Sequence, residues 1–268
     1  MNSTKIEILA TGLKFPEGPA FDTNGALWVV ELQGESLIKY HKNKLTRYAV
    51  GGAPNGIAID KENNIWFCDS QKNAIRKFNP YTEQCEIVAA EVDGERLNKP
   101  NDLAFDRNNN LLFTCPGDSR KEPIGYVCVL MNDGSIKKIS DNKFFPNGLA
   151  FTSTGNEFIL AETYRHRLWK CKWDTETGAI SDSFVWCDIG GPEGPGGPDG
   201  MAFDTNGNLY TAVFGTGEIR ITNTEGRCFD AITLPGRNPT NCAFDPGGLL
   251  GLAVTEAEKG LLLSVNYK

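Results

Sequence analysis

Six residues, each directly after a proline, carry the chemistry open to this chain: Glu17, Asn55, Asn101, Asn147, Asp199 and Thr240. They lie in the repeated segments FPEGPAFD, APNGIAID, KPNDLAFD, FPNGLAF, GPDGMAFD and NPTNCAFD, whose prolines are 38, 46, 46, 52 and 41 residues apart. Two carboxylates, three amides and one hydroxyl are all oxygen donors, the set that suits a hard divalent cation such as Ca²⁺, Mg²⁺ or Mn²⁺. A catalytic zinc site draws on imidazole or thiolate, and the only histidines, His41 and His166, fall outside the repeated segments. A cation with open positions polarises a carbonyl and lowers the pKa of a bound water, and a carboxylate beside it can deprotonate the attacking water. No Gly-x-Ser-x-Gly elbow is present, so a Ser–His–Asp system has little support. The chemistry indicated is metal-assisted hydrolysis or hydration of a small polar carbonyl compound.

One Pro-Asn-Gly by itself reads as a turn, because Asn and Asp tolerate tight turns before glycine. The departures from uniformity argue for more: Glu17 is a poor turn residue, and Asp102 follows Asn101 where most copies have glycine. For the six side chains to meet, their segments must be arranged around one axis. Each repeat holds several short strands rich in Val, Ile, Trp, Phe and Tyr, punctuated by Gly, Asn, Asp and Pro, with no long helical period. Self-similarity at this spacing, with four antiparallel strands per unit, predicts an all-β six-bladed β-propeller. The first strand of each blade then lines the central channel, and the Pro-x-Gly segment ahead of it lies at one mouth. After the last repeat only NCAFD, LLGLAVTE and GLLLSVNY remain, so KIEILA near the N-terminus is expected to complete the last blade and cover its open edge.

Other positions receive simpler roles. Asp22, Asp60, Asp106, Asp204 and Asp245 precede Asn/Gly-rich turns and are expected to cap them. The five tryptophans are expected between blades, and His166 on an outer strand between the alternating Arg165 and Arg167. The loop Gly190–Gly197 reads as an exposed connector with Glu193 as a remote substrate contact, while Asn55 and Thr240 belong to the pocket wall.

The repeat runs nearly end to end through 268 residues, which favours one domain over residues 1–268. A net charge of -7 with no basic run argues against nucleic acid as a partner. No pair among the eight cysteines has Cys-x-x-Cys spacing, so they read as reduced core residues. No secretory leader and no apolar stretch near membrane-spanning length is visible. A cytoplasmic monomer is the resulting expectation, with no membrane partner.

The residues resemble a known family, the SMP-30/gluconolactonase/luciferin-regenerating-enzyme family of regucalcin-like sugar lactonases. The resemblance covers nearly the whole chain. It rests on FPEGPAF, KPNDLAFD, FPNGLAF and, most specifically, PDGMAFDTNGNLYTAVFGTGEIR. It implies one divalent cation in the channel, Ca²⁺ foremost with Mg²⁺, Mn²⁺ or Zn²⁺ as alternatives, and a small-molecule lactone as substrate. It implies Glu17, Asn147 and Asp199 as metal ligands, with Asp199 also the catalytic base. It implies Asn101, Lys99 and Asp102 as substrate-binding residues. Lys99 stands where the family carries arginine and lacks that residue's planar, two-pronged contact. Cys115 stands where related sequences often carry an acid, which the sequence assigns to specificity. Alternatives at the same site are a non-sugar lactone or a phosphotriester. A non-enzymatic calcium-binding or NHL-like interaction propeller is the alternative from another class.

Overall fold

In the computed structural model, which describes residues 4–267, six four-stranded antiparallel sheets stand around one axis as a six-bladed β-propeller. The two ends of the expected 1–268 span lie outside the described residues. The innermost strands are Pro16–Phe21, Pro54–Ile59, Leu103–Phe105, Pro146–Phe151, Gly197–Phe203 and Pro239–Phe244, each packed against its neighbours in the ring. The N-terminal strand Lys5–Ala10 pairs antiparallel with Leu261–Asn266 and completes blade 6. This closure joins the first and last described strands in one sheet. A two-stranded hairpin, Glu91–Val92 with Glu95–Arg96, is added between blades 2 and 3.

The Pro-x-Gly segment departs from expectation in a way that matters for the site. In five blades the proline is already within the innermost strand, and the pairing register shifts just after it, as between Glu17 and Ala20 or Pro198 and Met201. A bulge at this point adds twist and re-aims one side chain. In blade 3 the regular strand begins only at Leu103, although Asn101 and Asp102 keep backbone bonds to Thr114.

Apolar clusters fill the wedges between adjacent blades. Trp28, Val30 and Leu37 of blade 1 pack with Ile57, Ile65, Phe67 and Phe78 of blade 2, and Trp173 and Phe158 of blade 4 meet Leu112, Val127 and Val129 of blade 3. The AFD aspartates hold the turns: Asp22 Oδ1 accepts the N–H groups of Asn24 and Ala26, and Asp60, Asp106 and Asp204 repeat the pattern. Three of them also accept an indole N–H, from Trp28, Trp66 and Trp173. None of the eight cysteines forms a disulfide; Cys228 is exposed, Cys85 half-buried and the other six buried. Among the described residues no helix is long and apolar enough to cross a membrane.

A second set of acids recurs at the end of the second strand. Glu31, Asp69, Glu162 and Glu256 are buried and accept backbone N–H bonds from Lys14, Ala53, Phe144 and Asn238, the residues that lead into the innermost strands. Blade 3 has Cys115 in this slot, and the Tyr126 hydroxyl takes over, accepting the Asn98 N–H at 3.0 Å. Cys115 is therefore a core residue beside Cys68 and Cys128, which corrects its assignment to specificity.

Asp106 joins blades 3 and 4, accepting from the Trp173 indole, the Thr175 hydroxyl and the Asn110 amide. Burial works to raise its pKa, but these hydrogen bonds outweigh it and hold the carboxyl below the ordinary value of 3.8. A depressed folded-state pKa stabilises above the unfolded value and is lost as pH falls through the folded one. Asp106→Asn is expected to cost about 2–3 kcal/mol at pH 7, because an amide N–H₂ then faces donors. In urea unfolding the gap to wild type narrows below the ordinary pKa of 3.8. A gap that stays constant between neutral and acid pH contradicts an ionised Asp106.

Candidate active site

The bulged strands bring five of the six ring residues to one cavity of about 420 Å³ at a mouth of the channel. Glu17, Asn55, Asn101, Asn147 and Asp199 line it, along with Lys99. Thr240 does not: its side chain is fully buried, and its hydroxyl donates to the Pro16 carbonyl at 2.8 Å, behind Glu17.

Glu17 and Asp199 are only 5% and 8% exposed. Burial pushes the Glu17 carboxyl well above its ordinary range, with repulsion from Asp199 and Asp102 adding to it. Burial and then Asp102 do the same to Asp199, partly offset by a hydrogen bond from the Asn147 amide. Asn147 Nδ2 also donates to Thr163 Oγ1, whose own hydroxyl donates to the Pro198 carbonyl. With the amide nitrogen so engaged, Asn147 Oδ1 is left as a donor atom for a cation. Asn101 is fixed through its backbone, donating to Thr114 O and accepting from Gly56 N at 2.8 Å.

Asp102 lies one step deeper, buried and away from the lining of the cavity, so it is set apart from the substrate-binding role expected for it. Its carboxylate receives the Asn241 Nδ2 at 3.5 Å, a contact from blade 3 to the opposite blade 6. At this level the other four blades have Gly18, Gly56, Gly148 and Gly200. Two side chains thus occupy the axis that four glycines leave open. Burial raises the Asp102 pKa to about 7, against hydrogen bonds from Leu103 N–H and the Asn241 amide. Sequence reasoning missed Asn241, although its place in NPTNCAFD, where four copies have glycine, was the available signal.

The cavity rim was mostly illegible beforehand. Lys99 Nζ sits 2.8 Å from both carboxylate oxygens of Asp118. Phe15, Phe214 and Leu32 form an apolar wall, with the two phenyl rings stacked at 6.3 Å between centroids. Arg120, Phe145 and Tyr164 form another part of the rim. The loop expected to be an exposed connector contributes Pro195 and Gly196 to the cavity, while Glu193 is exposed and outside the lining. His166 holds this loop in place of the strand position expected for it. It follows the short 3₁₀ turn Thr163–Arg165 with a left-handed backbone, and its carbonyl accepts the Ile189 and Gly190 N–H groups. Its Nε2 lies 3.2 Å from the Gly196 carbonyl. Arg167 begins the next strand and donates to Glu162, so Arg165 and Arg167 do not form one solvated face.

The donor set fits a hard divalent cation. Among the described residues no Lys, Arg or His pairs with Glu17 or Asp199, an unfavourable arrangement for buried carboxylates, and the amides beside them are neutral oxygen donors. Among the described residues no three His, Cys, Asp or Glu side chains gather into a metal-holding cluster. A cation here would rest on the mixed set of Glu17, Asp199 and the Asn147 amide. Chemically, the site offers buried carboxylate and amide oxygens at the wall of a cavity large enough for a small polar molecule.

Comparison with known proteins agrees with this architecture. The chain is 27% identical over 281 residues to the gluconolactonase of Zymomonas mobilis, covering 92% of this chain and 77% of that protein. It is 29% identical over 260 residues to the diisopropyl-fluorophosphatase of Loligo vulgaris, covering 86% and 82% respectively. The solved structure of a gluconolactonase from Xanthomonas campestris superposes with a TM-score of 0.86 at 24% identity, over 99% of this chain and 90% of that one. The model of the SMP-30/gluconolactonase/LRE-like region matches residues 15–258, and with that span and the propeller beneath it the chain belongs to the SMP-30/gluconolactonase/LRE-like family.

Proposed function

We propose that the protein hydrolyses the lactone ring of a sugar acid with the help of one divalent cation. The observation that carries this reading is the pair of buried carboxylates, Glu17 and Asp199, at the floor of a cavity otherwise lined there by amides. Its standing as a lactonase draws support from the similarity to the Zymomonas mobilis gluconolactonase. Glu17, Asn147 and Asp199 would hold the cation, with Ca²⁺ favoured by an all-oxygen set. When bound, the cation supplies a Lewis acid for the lactone carbonyl.

The chain's own groups do the rest. Asp199 takes a proton from the water that attacks the carbonyl carbon and returns it to the ring oxygen as the acyl bond to that oxygen breaks, and the carboxylic acid so formed releases its own proton to solvent. The products are a carboxylate and a free hydroxyl on one open chain. Asn101, fixed by its two backbone bonds, orients the polar groups of the ring, and Lys99 contributes through its pair with Asp118. The wall of Phe15, Phe214 and Leu32 limits access of bulk water from one side. That same apolar wall, with the similarity to the Loligo vulgaris enzyme, favours phosphotriester hydrolysis as the second reading.

Initial rates on aldonolactones, followed by proton release, test the proposal. Chelation is expected to abolish turnover, and restoring Ca²⁺, Mg²⁺, Mn²⁺ or Zn²⁺ one at a time to recover it with at least one ion. Turnover that persists undiminished after exhaustive chelation removes the cation from the reaction. A folded protein inert on lactones but active on a phosphotriester moves the assignment to the second reading.

A further inference from the structure

The cavity rim carries two cations in unequal circumstances. Lys99 is committed to Asp118 through both carboxylate oxygens. Arg120 lines the same cavity and adds a weaker electrostatic pull on Asp118, but among the described residues it has no carboxylate within ion-pair distance. Its guanidinium lies 5.7 Å from the Phe145 ring centroid and 5.9 Å from that of Tyr164, over two rings that also line the cavity. The segment bearing it is pinned. Its backbone N–H donates to the Asp118 carbonyl at 2.7 Å, and the buried Ser119 hydroxyl donates to Pro116 O while accepting the Phe145 N–H at 2.8 Å.

A planar guanidinium steadied on aromatic faces, with its N–H fork unpaired, is suited to a carboxylate or phosphate. The rest of the molecule makes that suitability consequential. The chain carries a net charge of -7. A neutral sugar gains no ion pair from a cation at the rim, whereas an anionic ligand approaching a negatively charged protein does.

We infer that Arg120 is a specificity residue that selects lactones bearing a second, anionic group remote from the reacting carbonyl. That group is a phosphate ester or a carboxylate on the far end of the sugar chain. The inference rests on the lactonase reading and narrows its substrate class. Arg120 contacts the anionic group and takes no part in ring opening.

The test compares kcat/KM for three probes at low salt: D-glucono-δ-lactone, its 6-phosphate, and the monolactone of D-glucaric acid. Wild type is expected to favour one anionic probe over the neutral one by at least about tenfold, and the ratio to fall by about ten- to a hundredfold in Arg120→Gln. Arg120→Lys recovers part of it, and added salt compresses the wild-type ratio while leaving that of Arg120→Gln nearly flat. The favoured anionic probe tells phosphate from carboxylate. A wild-type ratio near one, or one unchanged in Arg120→Gln, overturns the inference. If wild type opens none of the three, the lactonase reading fails separately, and calorimetry with 6-phosphogluconate, D-glucarate and D-gluconate decides. A preference for 6-phosphogluconate or D-glucarate over D-gluconate that Arg120→Gln abolishes supports an anion-selecting rim; three equal affinities, or no binding, overturn it.

Discussion

Asp199→Asn is expected to lower lactone turnover by about 10³-fold while leaving the fold intact. Asparagine keeps an oxygen in place for a cation and keeps the volume of a side chain that is 8% exposed. What it removes is the negative charge and the ability to take a proton. If Asp199 acts as base, the loss falls on kcat, and KM changes little. Metal affinity should also fall, since one of the two carboxylates assigned to the cation becomes neutral, so rates are compared at saturating metal. Circular dichroism and urea unfolding confirm that the variant is folded. The substitution relieves repulsion with Glu17 and Asp102, so without metal the variant is expected to be no less stable than wild type. A folded, metal-saturated Asp199→Asn with wild-type kcat ends the case for this residue as base. Glu17→Gln provides the contrast, weakening metal binding without touching the proton-accepting group.

The second large effect is on the axis. Gly148→Ala is expected to destabilise the protein by about 3 kcal/mol and to disturb the site with it. A Cβ on Gly148 would stand 2.3 Å from the Asp199 carbonyl oxygen and 2.7 Å from the Gly200 Cα. Those are backbone atoms of the next blade, so nothing nearby can rotate away. The strain falls between Asn147 and Asp199, two residues assigned to the cation. Gly200→Ala meets a different obstacle, since its Cβ would lie 1.9 Å from the Asn241 Cγ. That obstruction is a side chain, so Gly200→Ala combined with Asn241→Gly should recover much of the stability lost by Gly200→Ala alone. No second substitution of this kind is available for Gly148. Urea midpoints of the three variants check the pattern. A benign Gly148→Ala, or a double variant no better than Gly200→Ala, refutes the close-packed axis.

These two predictions differ in where their grounds became visible. Asp199 stood out in the sequence because GPDGMAFD is the fifth of six copies of one pattern, with a carboxylate in the position that converges on the axis. Repetition makes such positions legible, since a radial fold converts equal places in successive repeats into neighbours in space. The acids that end second strands repeat as well, at Glu31, Asp69, Glu162 and Glu256, and their role would have been readable from the same alignment of repeats. Fold class, blade count, closure by Lys5–Ala10 and the turn-capping aspartates all followed from periodicity and turn chemistry, which act locally.

Where the repeats break their own pattern, contacts between distant segments take over. Thr240 shares a sequence position with five cavity residues, yet its short side chain turns its hydroxyl to the Pro16 carbonyl and leaves the cavity to the others. Asp102 and Asn241 are separated by 139 residues and meet only because blades 3 and 6 face each other across the axis. Part of the rim comes from connecting segments whose sequences do not repeat from blade to blade: Asp118 and Arg120 from one, Pro195 and Gly196 from another, the latter held by His166. Loop side chains obey no period, and whether a charge there is paired or free depends on contacts between segments far apart in the chain. The frame and the oxygen donors at its centre were thus legible from repetition along the chain. Only the folded chain decided which cation at the rim remains unpaired, because that is set by three-dimensional proximity.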